Sequence, residues 1–106
     1  MAKQTFFVRL IPPRASFTDD ITPDEVALMQ AHFAYTQQHF EAGTVLVFGP
    51  VFADGGTFGM AVLNVDDIAD VHTFMADDPS VVAGLNTYEI APMRLGGSQA
   101  PRSTAF

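Results

Sequence analysis

The chain has 106 residues, 48% of them hydrophobic, which suits one domain with its own core. Its formal net charge is −7 with only five Lys and Arg, which argues against nucleic acid, since a phosphate backbone is held by clustered cations. There is no Cys, so a disulfide, a thiolate zinc site and a cysteine nucleophile are all excluded.

The first element is a strand over Gln4–Leu10, with Phe6, Val8 and Leu10 on one face and Thr5, Phe7 and Arg9 on the other. Ile11-Pro12-Pro13-Arg14 ends it. Residues 11–21 form a loop rich in Pro, Ser, Thr and Asp, long enough to suggest a functional one. Thr22-Pro23-Asp24-Glu25 starts a long helix. Thr22 caps the open N–H groups, Glu25 completes a capping box, and Pro23 fits the first helical position. The helix is expected to run to about Ala42, with Gly43 taking the left-handed exit. Val26, Met29, Phe33, Thr36 and Phe40 recur at helical spacing and predict a core stripe. Leu28, His32, Tyr35, His39 and Ala42 form a second stripe of apolar bodies and polar tips, which suits a pocket wall or an interface.

Thr44–Phe48 reads as a second strand stopped by Gly49-Pro50. Asp54-Gly55-Gly56 predicts a hairpin turn into a third strand, Thr57–Asn64, with Gly59 allowing close approach of a backbone or ligand. Asp66 or Asp67 caps a second helix to about Ala76, with Ile68, Val71 and Met75 inward and His72 beside them. Asp78 caps a short turn with Pro79 at its first position, running through Gly84. Asn86–Met93 is the fourth strand, and 95–106 a loose tail, so the domain is 1–94.

The order strand, helix, strand, strand, helix, strand is the ferredoxin-like βαββαβ pattern, an α+β fold. It predicts a four-stranded antiparallel sheet with two helices on one face. The other face is expected to carry Phe7, Gly59, Ala61, Leu63 and Met93 or their alternates. So apolar a face predicts a homodimer through the sheets. No apolar run approaches the roughly 20 residues of a membrane span, and Arg9 interrupts the N-terminal stretch where a signal peptide needs continuity. No membrane is expected as partner, and the expected location is cytoplasmic.

Four stretches together resemble the YciI-like (YCII-related) family of the dimeric α+β barrel superfamily. They are Arg9-Leu10-Ile11-Pro12-Pro13-Arg14, Met29-Gln30-Ala31-His32, Gly43–Pro50, and Ala76–Leu85 with its Asp77-Asp78-Pro79-Ser80 core. The last two are the most specific, and the resemblance spans residues 4–94. It implies a homodimer whose sheets face each other as a barrel, and an active site built on a helix histidine with an acidic partner. A few such proteins remove halide from chlorinated hydroxyquinones. The family histidine falls on His32. The family's acidic position near the end of the first helix falls on Glu41, where Asp is usual; Asp78 is the other candidate.

The residues themselves allow the same chemistry. A histidine titrates near neutrality, which suits a general acid–base, and a carboxylate orients its ring. Asp78 can both cap its helix and serve His32, because a carboxylate has several lone pairs. Glu41 is nine residues beyond His32 on the same helix, about 13.5 Å along the axis, too far for direct contact. Arg9 and Arg14 are candidate anion contacts, Tyr35 a candidate donor, and Gly49-Pro50 a candidate pocket edge. His39 and His72 read as surface or interface residues, without the spacing or third ligand of a metal site. There is no phosphate loop and no nucleophile elbow. The expectation is a small enzyme without cofactor or metal, acting by lyase, hydrolytic or dehalogenating acid–base chemistry on a small cyclic or aromatic molecule. The alternatives are a non-catalytic ligand-binding or regulatory dimer and a cofactor-free monooxygenase.

Overall fold

The computed structural model describes residues 2–99, so residues 100–106 of the expected tail lie outside the described residues. The elements are β1 (Gln4–Ile11), α1 (Phe17–Asp20), α2 (Pro23–Glu41), β2 (Val45–Ala53), β3 (Gly56–Val65), α3 (Ile68–Ala76), α4 (Pro79–Val82) and β4 (Thr87–Met93). The strands form one antiparallel sheet in the order β2-β3-β1-β4. This is the ferredoxin-like arrangement, with α2 and α3 against one sheet face.

The helix signals act as their chemistry dictates. Thr22 Oγ1 accepts from the Glu25 N–H at 3.2 Å, and Glu25 Oε1 accepts from the Thr22 N–H at 3.0 Å. Asp67 and Asp70 form a second capping box at the head of α3. Gly43 leaves α2 at φ +89, a conformation that disfavours a side chain.

β2 differs from expectation. It runs through Gly49 and Pro50 to Ala53, with Pro50 opposite Gly59. The reason is topological: β2 is the sheet edge, where the missing proline N–H faces away from any partner strand. A register shift between Val45 and Val47 lets the strand bend as it enters the sheet. The loop after β1 also holds a short helix, α1, which buries Phe17.

Phe6, Val8 and Leu10 are buried on the helix side. Their partners Leu63, Ala61 and Gly59 share that face. Gly59, Ala61 and Leu63 therefore do not lie on the open face, which carries the alternates Phe58, Met60 and Val62 with Phe7 and Met93. The core joins this β1–β3 patch to Val45, Val71, Phe74 and Met75. Ile68, expected inward, is 45% exposed at the first position of α3.

The stripe on α2 is also corrected. Thr36 is buried, but Phe33 is 58% and Phe40 42% exposed. Both rings flank Phe48 on the edge strand, at 5.6 and 5.7 Å between centroids. The inward line of α2 passes instead through Met29, His32, Tyr35, Thr36 and His39. Aromatic bulk drew the expected stripe to one side of the true one. Among the described residues, no helix is long and apolar enough to cross a membrane.

Candidate active site

α2 does not close onto the sheet along its whole length. A cavity of about 490 Å³ remains between them. β1 supplies Val8 and Leu10 as its floor, and β2 supplies Phe48, Gly49 and Pro50 at one side. Phe17 and Ile21, from the segment after β1, close another side. Met29, His32 and Thr36 hang from α2 above.

His32 and Asp78 meet at this cavity. His32 Nδ1 lies 2.6 Å from Asp78 Oδ2; the imidazole is 20% exposed and the carboxylate fully buried. Asp78 is the N-cap of α4, with Pro79 behind it at the first helical position. Its Oδ1 accepts from the backbone N–H and the hydroxyl of Ser80, both at 2.8 Å. One oxygen thus builds the turn and the other holds the imidazole. Burial alone would raise the Asp78 carboxyl, but the hydrogen bond and charge of His32 and the two Ser80 contacts hold it below its ordinary value. An ionised carboxylate only accepts hydrogen bonds, so the His32 proton sits on Nδ1. In the neutral imidazole Nε2 is then a base. The Thr36 hydroxyl donates to the His32 carbonyl at 2.9 Å and is thereby satisfied inside the core.

Gly49 and Pro50 line the cavity. Tyr35 does not. Its hydroxyl donates to the Phe74 carbonyl at 2.7 Å, tying α2 to α3, and burial with the nearby Asp77 and Asp78 pushes its pKa up to about 12. Arg14 is committed elsewhere. It bonds both Glu25 oxygens, at 2.9 and 2.7 Å, and Asp20 Oδ1 at 2.7 Å. The Arg14 hydrogen bonds take Glu25 down to about 2. Arg9 points to the other sheet face and stacks 3.9 Å over Phe58. Strand alternation explains this, since Val8 and Leu10 on either side face the cavity. Neither arginine lines the cavity. Glu41 is exposed and accepts from Gln37. His39 packs against both Tyr35 and Phe74, and His72 Nδ1 lies 3.1 Å from the Tyr88 hydroxyl. Among the described residues, no three His, Asp or Glu groups gather as a metal site.

Sequence reasoning missed Phe17 and Asn86 in the cavity wall. An aromatic residue alone in a polar loop is a signal for the first. Asn86 carries no such signal, because it stands where a strand begins.

Four antiparallel strands in this order, with helices on one face, define a ferredoxin-like α+β domain, and a histidine–carboxylate pair lies between helix and sheet. The chain belongs to the YCII-related domain family, which matches residues 5–94. It is similar to the solved structure of 5-chloro-2-hydroxyhydroquinone dehydrochlorinase (TftG) from Burkholderia phenoliruptrix AC1100, in complex with 2,5-dihydroxybenzoquinone. The two share 21% identity over 87% of this chain and 95% of that one, with a TM-score of 0.66. At that identity the likeness is one of fold. No functionally curated protein matches the sequence.

Proposed function

We propose that this chain is a small acid–base enzyme that works without a cofactor on a single-ring molecule held beneath α2. The observation that carries the reading is the 2.6 Å contact between His32 Nδ1 and buried Asp78 at the cavity. It fixes the tautomer and the ring plane, and leaves Nε2 to take and return a proton. The floor and sides are apolar, with Phe17 and Phe48 among them, which suits a flat ring. Membership of the YCII-related family and the fold shared with a dehydrochlorinase support elimination of a halide as the reaction.

For a chlorinated hydroquinone the step balances without an oxidant. His32 takes one hydroxyl proton and returns it to the chlorine-bearing carbon, giving a keto tautomer. Loss of the second hydroxyl proton then drives an electron pair into the ring as chloride leaves. The products are a quinone and HCl. The same reading includes a homodimer formed through the open sheet faces, which carry Phe7, Val47, Phe58 and Met60.

The test is chloride release from a panel of chlorinated hydroxyhydroquinones, followed by a chloride electrode and by quinone absorbance. Release that disappears in His32→Ala, with the fold intact, supports the reading. Tight binding of the panel without chloride release or any other product would make the chain a ligand-binding dimer instead. Oxygen uptake during turnover would place it with cofactor-free monooxygenases.

A further inference from the structure

Asn86 is 3% exposed and lines the same cavity as His32 and Asp78. Nothing in the backbone calls for asparagine there. Its φ is not positive, so it is not filling a left-handed position. Its side chain makes no bond to neighbouring backbone, the usual reason for asparagine at a turn. Among the described residues, its one side-chain hydrogen bond runs from Nδ2 to the Met29 thioether at 3.3 Å. Sulfur is a weak acceptor, so this contact is easily exchanged.

The position is nevertheless built. Ser80 ties it to the acidic partner of His32. The Ser80 carbonyl accepts the Asn86 N–H at 3.1 Å, while the Ser80 hydroxyl donates to Asp78 at 2.8 Å. One turn, from Asp78 to Asn86, thus presents a carboxylate to the imidazole and an amide to the cavity.

We propose that Asn86 reads a ring oxygen of the bound molecule. It exchanges its thioether contact for a hydrogen bond to a carbonyl or hydroxyl while His32 acts on the same ring. Either end of the amide serves, Nδ2 donating to a carbonyl and Oδ1 accepting from a hydroxyl. Met29 is unbranched and adaptable, so it yields the amide as the ring enters. The inference rests on the proposed use of this cavity for an oxygenated ring, but it assigns recognition to a different side chain from the acid–base.

Phenol and toluene are near-isosteric probes that differ in the oxygen. Their dissociation constants are measured by amide-shift titration of the isotope-labelled chain, for wild type, Asn86→Leu, Asn86→Ala and His32→Ala. The Ala variant guards against misfolding of the branched one. The ratio of phenol to toluene affinity should fall about tenfold in both Asn86 variants, with toluene itself little affected. It should persist in His32→Ala. An unchanged ratio in the Asn86 variants, or no phenol binding to wild type, overturns the proposal. If the ratio collapses only in His32→Ala, Asn86 is not the reader while the acid–base reading stands. If the Asn86 variants lose the ratio and His32→Ala keeps both ratio and chloride release, the acid–base reading falls and the Asn86 assignment holds.

Discussion

The two nitrogens of His32 have different tasks. Nδ1 is held by Asp78 at 2.6 Å, which leaves Nε2 for a ligand. Removing the ring removes the proton carrier, so His32→Ala should lower turnover by about 10²- to 10⁴-fold. Its fold should persist, as shown by an unchanged circular dichroism spectrum, because Asp78 keeps both Ser80 contacts when the imidazole is gone. Asp78→Asn should act on rate and on stability together. The amide can donate as well as accept, so it no longer enforces one tautomer, and its charge no longer favours the imidazolium. Asparagine caps a helix about as well as aspartate, so the loss seen in denaturant unfolding should come from the broken His32 pair rather than from the α4 cap. The pH dependence has a definite sign. The folded Asp78 pKa is lowered, against about 3.9 in model peptides. As pH falls, the unfolded chain therefore takes up this proton first. The stability from this group is complete above about pH 5 and is lost as pH drops through the folded value. Unfolding curves of wild type and Asp78→Asn should converge toward acid, and a constant gap from about pH 6 to pH 2 would contradict this origin.

At the scale of elements, the loop after β1 is held to α2 by one guanidinium. Arg14 bridges Asp20 in α1 and Glu25 in the capping box of α2, and the fixed segment carries Phe17 into the cavity wall. Arg14→Met should release it. Limited proteolysis should then cut within residues 12–21 several-fold faster than in wild type, while the far strand β4 stays protected. Equal cutting rates would mean that Phe17 alone anchors the segment. What the sequence made legible follows from how local each signal is. Caps and turns act within a few residues, so Thr22-Pro23, Asp67, Asp78-Pro79 and Asp54-Gly55 marked element ends well. The His32–Asp78 meeting was legible because the two caps fix where α2 and α4 begin and the fold brings them side by side. Which side of α2 faces inward was not, since Phe33 and Phe40 seek the edge-strand ring Phe48 rather than the centre. Pro50 looked like a stop because edge position is a property of the whole sheet. Which carboxylates hold Arg14 was not legible, because they lie six and eleven residues away, in a loop whose path local rules do not set.

For the whole molecule, the decisive feature is the sheet face turned away from the helices. Register places Val47, Met60, Val62, Phe7 and Ala91 along it, with Phe58 at one end and Met93 at the other. The charged residues in its ladders are Arg9 and Glu89, opposite each other, with Arg9 laid flat over Phe58. A guanidinium stacked on a ring still has N–H groups to spare, but its planar body adds to the apolar surface. A monomer would leave this face to water while its other face is covered by helices. A second copy applied face to face would bury it, and a stable contact of this kind covers more than about 1,000 Å². Light scattering should therefore give twice the chain mass at micromolar concentration. Phe7→Asp puts a charge at the middle of the face and, in a two-fold contact, opposes it with its own copy. That variant should run as a monomer with lowered thermal stability, because dimer formation itself contributes to the stability of the fold. A wild-type monomer at those concentrations would leave the apolar face without its proposed cover. Since the cavity lies on the helix side, a monomeric Phe7→Asp chain that keeps its fold should still bind phenol. Loss of binding on dissociation would mean instead that the partner shapes the His32 pocket through β2 and β3.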